Sequence, residues 1–353
     1  MGADRRRLGA LQVLAGAAAI ALLVALASGQ LGHLSNRETL VLARGEHVAE
    51  VSRVATTVAG DAAPGWDQGA ATRVLVEDSE WGRSAERALR KWRSSLFRRM
   101  ATQYKELERN KTEGGTKDIA RFEPFQLSRY DLFNPFLTCS GGQLKRLGNK
   151  GDGGKWICLD DYLQQPGCII YSLGSRGWFD FEEAMLEATP CEIHTFDCTY
   201  NGSALAKSGG RHHYHKICVG QPTSAFAQAT PDMFKTYDAI MASLNHKRVD
   251  LLKIDIEGFE YDTLGAWEPS CQLPMQIAME VHYQYLYGNE KKPKNFANLF
   301  WSMHQLSLGE LAVWFGHFGD LGYGVVSRED NLPYGIGCCA EFTFVKVERP
   351  ATC

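Results

Sequence analysis

The longest uninterrupted apolar stretch of the chain lies near its start, from Leu8 to Ser28, directly after three consecutive arginines. About 20 apolar residues cross a bilayer as a helix, and flanking basic residues stay on the cytoplasmic side. We therefore expect residues 1–30 to be a signal-anchor transmembrane segment of a single-pass type II protein in the Golgi or another secretory compartment. Ala25-Leu26-Ala27 leaves open the alternative of a cleaved signal peptide and a secreted chain.

Residues 31–118 are predicted to form a lumenal stem with one amphipathic helix over 80–109. Its apolar positions recur every three or four residues, which is the period of one helix face. These positions are Trp81, Ala85, Leu89, Trp92, Leu96, Met100, Tyr104 and Leu107. The face is expected to pack on the following domain or on its copy in a homodimer; a basic membrane-surface helix is less favoured, because some 50 residues separate it from the anchor.

From residue 119 to 353 short apolar runs alternate with helical patterns, which predicts an α/β domain with a mostly parallel, Rossmann-like sheet. The predicted strands are Cys168–Leu173, Glu192–Phe196, Lys216–Val219, Asp250–Ile254, Gln276–Val281, Gly324–Ser327 and Glu341–Val347. The predicted helices are Asp180–Ala188, Gly258–Ala266 and Asn295–Phe318.

Charge and cysteine content narrow the possible partners and the compartment. The segment beyond residue 118 has 20 Lys+Arg against 27 Asp+Glu, a net charge of −7, which disfavours nucleic acid as a substrate. All ten cysteines lie in the same segment, as expected for a domain cross-linked in an oxidising compartment, although Cys168 and Cys218 could be free core thiols. The sequons at Asn110 and Asn201 would be glycosylation acceptors there.

A glycine turn follows the first predicted strand of this domain. The strand runs into Gly174, Ser175, Arg176 and Gly177, and the next strand ends at Asp197. Ligands of doubly wound sheets bind beyond the carboxyl ends of the strands, where a glycine turn approaches them and an acid on the neighbouring strand holds a ribose. A plain structural turn remains the alternative, but together the features favour a nucleoside cofactor.

Two further strands end in paired polar residues. One strand delivers Asp255 and Glu257 to its carboxyl end, and the next delivers Glu280 and His282. Residues two apart on a strand share a face, so each pair is expected to point into one cleft. The alternative for Asp255 and Glu257 is helix capping by acids at an N-terminus.

The run K-I-D-I-E-G-F-E-Y-D-T-L at 253–264 resembles the FkbM-type methyltransferases. The chain is also similar to a eukaryotic methyltransferase-like family of secretory-pathway proteins, in G-D-G-G-K-W at 151–156, I-Y-S-L-G-S-R-G at 170–177, H-T-F-D at 194–197 and M-E-V-H at 279–282. The resemblance covers residues 130–347 and implies the seven-stranded class I methyltransferase fold with S-adenosyl-L-methionine as cofactor.

Carried onto this chain, the resemblance implies that Gly174, Ser175 and Gly177 form the cofactor turn and that Asp197 holds the ribose. Asp255 and Glu257 would line the strand edge facing methionine and acceptor, and Glu280 is a further candidate catalytic residue at the end of the next strand. Arg176 stands where the wider superfamily usually has glycine.

The implied reaction is O-methylation of a glycan or another small hydroxylated acceptor. A hydroxyl acceptor loses a proton, so a base helps, and His282 is the preferred catalytic base because its free pKa lies near neutrality. A structural role for His282 stays open. Trp178 or Phe179 could offer an aromatic face to the sulfonium.

The methyltransferase hypothesis needs no metal ion, so no metal centre is assigned; metal sites are considered only as alternatives. His213 and His215 with Cys218 lack a second ligand cluster of zinc spacing. Asp255, Glu257 and His282 could instead hold a divalent cation. A metal site for a nucleotide sugar at Asp255 and Glu257 would make the chain a different enzyme, a Golgi glycosyltransferase. A catalytically inactive lumenal binding module is the non-enzymatic alternative.

Overall fold

The computed structural model describes residues 73–114, 129–150, 153–220, 231–282, 308–331 and 339–353. The proposed anchor, most of the stem and the boundary at residue 118 lie outside these ranges. Within the described part of the chain, no helix is both long enough and apolar enough to cross a membrane.

The described chain alternates strands and helices as expected for an α/β fold. In chain order the strands are β1 (Arg73–Leu75), β2 (Leu144–Leu147), β3 (Lys155–Cys158), β4 (Ile169–Leu173), β5 (Glu192–Phe196), β6 (His212–His215), β7 (Cys218–Val219), β8 (Phe234–Lys235), β9 (Leu251–Ile254), β10 (Gln276–His282), β11 (Tyr323–Asp330), β12 (Cys339–Lys346) and β13 (Glu348–Pro350). The helices are α1 (Glu80–Gly114), α2 (Asp180–Ala188), α3 (Tyr237–Ser243), α4 (Glu260–Leu264) and α5 (Leu308–Asp320).

Seven of the strands form the central sheet, in the order β11-β12-β10-β9-β4-β5-β6. Neighbours run parallel from β6 through to β10, whereas β12 is antiparallel to both β10 and β11. One reversed strand in a seven-stranded α/β sheet matches the class I methyltransferase fold, so the fold expected from the resemblance is confirmed for the described residues.

The prediction was wrong about the third strand. The edge of the sheet is β6 (His212–His215), while Cys218–Val219 pairs with β8 in a separate two-stranded sheet. Four consecutive His and Tyr residues do not look like a strand, because neither face is apolar. The neighbouring strand resolves this: the His212 ring bonds the Thr195 hydroxyl, and the His215 ring bonds His194.

Two layers of apolar side chains cover the sheet, one on each face. Residues alternate between them along a strand: Ile170 and Leu251 pack toward α2, while Tyr171 and Leu252 face the larger core on the other side. Such alternation follows from the two-residue period of a strand.

Helix α1 packs against this larger core. The buried side chains of Leu89, Trp92 and Leu96 lie on its apolar face, and Phe136 stacks on Trp92 with 5.3 Å between ring centroids. Arg93 is paired with Glu348 at 2.6 Å. The apolar face of the predicted stem helix is therefore buried within its own chain.

Four disulfides cross-link the described domain: Cys139–Cys158, Cys168–Cys191, Cys198–Cys218 and Cys271–Cys353. Cys168 and Cys218 are both bonded, so neither is a free core thiol. The Cys168–Cys191 bridge joins the residues immediately before β4 and β5, and Cys198–Cys218 joins β7 to the segment just after β5. Disulfides of this density are typical of secretory-pathway proteins.

Candidate active site

The strand order reverses between β4 and β9, at the middle of the sheet. The chain leaves β4 for β5 and β6, then returns to place β9 on the other side of β4. A crevice opens at the carboxyl ends of such strands. Gly174 and Asp255 follow these two strands and touch there, because a Cβ added to Gly174 would lie 1.9 Å from the Asp255 carbonyl oxygen. Gly174 also has φ of +78°, so the turn requires glycine on two counts.

The Asp197 carboxylate organises the glycine turn from the neighbouring strand. One oxygen accepts from the backbone N–H of Ser175 at 2.9 Å and of Arg176 at 2.6 Å. The other accepts from the N–H and the hydroxyl of Thr199, at 2.8 and 2.6 Å. Burial would raise the pKa of Asp197, but these hydrogen bonds hold it below its ordinary value. A carboxylate offers about four acceptor sites, so a ribose hydroxyl would compete with bonds already made.

Arg176 and Gly177 complete the turn with left-handed backbone. Their φ angles are +51° and +82°, and a Cβ on Gly177 would lie 2.5 Å from the Tyr200 ring. Arg176 thus adopts a left-handed conformation, which is uncommon outside glycine. Trp178 is 66% exposed beside it, whereas Phe179 packs edge-on against His212 with centroids 5.1 Å apart. Of the two aromatic candidates Trp178 is the more exposed, and the Arg176 guanidinium lies over its ring, 6.0 Å from the centroid.

The structure brings the predicted acidic residues together at the ends of β9 and β10. The His282 Nε2 atom lies 3.3 Å from Glu280 and 3.6 Å from Glu257. One ligand atom each from Asp255, Glu257 and His282 fall within 4.8 Å of one another. The two pairs lie together at one edge of the sheet, with Glu280 and His282 each 4% exposed. We call this group, with the residues added below, the acidic cluster.

Glu260 is a member of the cluster that sequence reasoning missed. It is fully buried at the start of α4, and one oxygen accepts from the backbone N–H of His282 at 2.8 Å and lies 3.0 Å from its Nδ1. Burial alone would lower the pKa of His282, but Glu280 and Glu260 outweigh it and raise that pKa well above its ordinary value. His282 is therefore held as an imidazolium at neutral pH.

Lys155 is a second residue that the sequence analysis did not single out, although it lies in the G-D-G-G-K-W motif. Its side chain is 1% exposed, with Nζ 2.6 Å from Glu341 and 3.1 Å from Asp255. Burial opposes the charge, yet the carboxylates Asp255, Glu341 and Glu280 raise the pKa of Lys155 above its ordinary value. Asn331 donates to Glu280 at 2.8 Å and completes the ring of contacts.

Lys253 contacts the glycine turn from the adjacent strand β9. It is buried at the middle of β9 and donates to the carbonyl of Gly174. In the motif it precedes Asp255 by two residues, and only the pairing of β9 with β4 shows that it orders the glycine turn.

Glu257 is the carboxyl group of the cluster that is open to solvent. Its side chain is 40% exposed and its φ is +57°, a left-handed conformation that is uncommon outside glycine. Desolvation raises its pKa to about 7, with His282 acting against this and Asp255, Glu280 and Glu260 adding to it. A carboxyl group with this pKa can exchange a proton at neutral pH.

The charges of the acidic cluster suit a cationic ligand. Five carboxyl groups, those of Asp255, Glu257, Glu260, Glu280 and Glu341, face two cations, Lys155 and His282. Among the described residues the buried Oε2 of Glu341 accepts no hydrogen bond, and the same carboxyl group has its pKa raised by burial to about 8. The sulfonium and ammonium groups of S-adenosylmethionine are both positive, so the donor set fits that cofactor.

Comparison with known proteins agrees with this fold. Residues 90–346 match the Methyltransf_22 family, described as a methyltransferase domain. The human protein named "Probable methyltransferase-like protein 24" is 26% identical over 141 residues, 36% of this chain and 38% of that protein. The rat protein of the same name is 26% identical over 163 residues, 43% of this chain and 42% of that protein. The chain covers about two fifths of the length of these relatives.

One solved structure similar to the chain is a SAM-dependent methyltransferase from Thiobacillus denitrificans in complex with S-adenosyl-L-homocysteine. It is 15% identical, with a TM-score of 0.23 over 48% of this chain and 63% of that chain. The fold assignment rests on the strand order of the central sheet, not on this similarity.

Proposed function

Because the chain belongs to the Methyltransf_22 family of methyltransferase domains, we propose that it transfers a methyl group from S-adenosylmethionine to a hydroxyl of a glycan or another small hydroxylated acceptor. When bound, the cofactor supplies an electrophilic methyl group on a sulfonium. The chain's own task is to hold the acceptor oxygen in line with that methyl group and to take up the proton it loses.

Glu257 carries this proposal as the proton acceptor. It lies at the mouth of the crevice, 40% exposed, with a pKa raised to about 7 chiefly by desolvation. His282 is the base that the sequence favours, but a base must be unprotonated, and its neighbours hold this imidazole in the charged form. Its positive charge instead favours the ionised form of Glu257, which lies 3.6 Å away.

Asp197 and Lys253 act on the turn in this proposal. Asp197 fixes the backbone N–H groups of Ser175 and Arg176, and Lys253 fixes the Gly174 carbonyl. The turn is thereby pre-organised where strands β4 and β9 diverge, the place at which ligands of such sheets bind. Asp197 acts in this scheme as a positioning residue more than as a direct ribose ligand.

The glycosyltransferase alternative fits the contacts less well, even though Asp255, Glu257 and His282 offer ligand atoms within 4.8 Å of one another. That enzyme would need Asp255 and Glu257 to hold a metal ion, but Asp255 is paired with the buried Lys155 at 3.1 Å. A sealed, inactive module is also disfavoured, since Glu257, whose pKa is raised to about 7, has a side chain that is 40% exposed.

We infer that the acceptor is a molecule of the secretory pathway. Four disulfides in the described domain support an oxidising compartment, and sugars with free hydroxyl groups abound there. The membrane anchor remains a proposal from the sequence.

Thermal unfolding of the full chain with adenosylhomocysteine, compared with UDP plus Mn²⁺, tests the function. Adenosylhomocysteine at 100 times its dissociation constant should stabilise the fold by about 2.7 kcal/mol. Asp197→Asn should weaken this stabilisation, because the NH2 group of asparagine donates and cannot accept the backbone hydrogen bonds that one carboxylate oxygen of Asp197 now accepts. The exposed Asp238→Asn should leave the stabilisation unchanged. Stabilisation by UDP and Mn²⁺ alone would overturn the proposal.

A further inference from the structure

A second cluster of ionisable side chains lies on the other half of the sheet. It consists of Glu192 and His194 on β5, His213 and His215 on the edge strand β6, and His246 in the turn after α3. We call it the histidine cluster. His194 lies three residues before Asp197, roughly 10 Å along the strand from the glycine turn at the usual rise per residue. The cluster takes no part in the proposed methyl transfer.

Two strands and a turn bring its nitrogen and oxygen atoms to one point. The Glu192 Oε1 atom lies 2.9 Å from His194 Nε2 and 2.9 Å from His213 Nε2. One ligand atom each of Glu192, His194 and His246 lie within 4.8 Å of one another. Two imidazoles and a carboxylate converge in this way, and the half-exposed His213 offers a third imidazole beside the same carboxylate oxygen. Three imidazole nitrogens and one carboxylate oxygen would supply the four ligands of a zinc site.

The remaining ring nitrogens of the inner histidines are already oriented by neighbours. His194 Nδ1 lies 3.0 Å from His215 Nε2, and His246 Nδ1 lies 2.7 Å from the Tyr171 hydroxyl. When each Nδ1 carries the proton of such a bond, each Nε2 presents its lone pair to the shared point. Metal-binding histidines are held in their tautomer by outer partners in this manner.

We propose that the histidine cluster binds one Zn²⁺ ion through Glu192, His194, His213 and His246, with His215 and Tyr171 as orienting partners. The side chains of Glu192 and His213 are 44% and 41% exposed, so an ion can enter from solvent. Bound zinc would tie the edge strand β6 to β5 and to the turn that leads into β9. Imidazole nitrogens and a carboxylate oxygen are ligands that suit zinc.

The ligand set also explains why the sequence alone did not reveal a site. His213 and His215 are near Cys218 in the chain, but Cys218 is bonded to Cys198 and offers no thiolate. The further ligands come from β5 and from the turn after α3, and the alignment of His213 with His194 across the strand pair brings them together.

Zinc titration of the chelator-dialysed full chain, with metal content measured by mass spectrometry, tests the proposal. We expect one zinc per chain, and Co²⁺ in its place should give the visible absorption of a tetrahedral site. Glu192→Gln and His213→Gln should each lower zinc affinity more than about 100-fold, beyond the effect typical of an outer partner. The matched control is His317→Gln, on α5, which should bind zinc normally.

Three results would overturn the proposal: no zinc bound by the folded chain, full affinity in both variants, or loss of zinc with Asp255→Asn and not with His213→Gln. The last would move the metal to the acidic cluster. None of these measurements needs a methyl donor, so they stand apart from the test with adenosylhomocysteine. Circular dichroism of each variant establishes that it is folded.

Discussion

The acidic cluster and the histidine cluster both place imidazoles beside carboxylates on the same sheet, yet their charge states are opposite. His282 lies beside the carboxylates of Glu280 and Glu260, and because of them its pKa is raised well above the ordinary value. His194 has one partly exposed carboxylate and four other histidines nearby, and burial followed by their charges lowers its pKa to about 3. The balance of carboxylates and cations around a buried imidazole decides its charge.

This difference suits the two clusters to different chemistry. A fixed imidazolium and a buried ammonium in the acidic cluster form a permanent electrostatic environment around Glu257. In the histidine cluster burial lowers the pKa of His194, His215 and His246, which favours the neutral imidazole that a metal ion requires. Substitutions in both clusters test the contrast.

The largest effect is expected from removing the buried cation of the acidic cluster. Lys155→Met leaves Asp255 and Glu341 without their partner in a buried site, and breaking such a pair costs about 3–5 kcal/mol. Urea unfolding of the metal-free chain measures this, with the exposed Lys235→Met as control. A loss as small as that of the control would show that the carboxyl groups are neutral without the lysine.

The next effect is on rate. Glu257→Gln should lower methyl transfer about 10²–10⁴-fold, the usual contribution of a general base, with little loss of stability because the side chain is 40% exposed. The wild-type rate should rise with pH through about 7, where Glu257 loses its proton, and the variant should lack this rise. Glu187→Gln, on the exposed side of α2, is the control. An unchanged pH profile in Glu257→Gln would exclude it as the base.

Opposite pH dependences of stability should separate the two histidines. The raised pKa of His282 contributes stability that is present below about pH 6.5 and is lost as pH rises toward the folded value. The lowered pKa of His194 contributes stability above about pH 6.5 that is lost as pH falls toward 3. The two pH dependences are opposite because folding raises the pKa of His282 and lowers the pKa of His194.

Unfolding in chelator across pH measures both effects. His282→Gln should flatten the alkaline side of the stability profile, and His194→Gln the acid side. If both variants flatten the same side, the two imidazoles do not differ in charge and the comparison fails.

The smallest effect is expected at the exposed rim of the histidine cluster. His213 is 41% exposed, so His213→Gln should change the stability of the metal-free chain by no more than about 0.5 kcal/mol. With zinc present the wild type should become more stable and the variant should not. A large loss without metal would give His213 a structural role that its contact with Glu192 does not explain.

Local patterns were sufficient for much of the fold. Helix α2 begins and ends where its apolar spacing predicted, and the strands β4, β5, β9 and β10 agree within a residue or so. Buried parallel strands are continuous apolar runs, so they can be recognised without knowledge of their neighbours. Strand β6 was missed because His212 and His215 find their hydrogen-bond partners only when Thr195 and His194 lie on the neighbouring strand.

The sequence by itself determined the α/β class, the glycine turn, and the ends of β9 and β10 where Asp255, Glu257, Glu280 and His282 gather. Those inferences rest on spacing along one strand, which a linear pattern records. Only the tertiary structure decided that neighbouring carboxylates favour the charged form of His282, that Lys155 and Glu260 join it, and that the histidines of β6 meet His194 of β5. Burial and neighbouring charge set a pKa, and both depend on residues far apart in the chain.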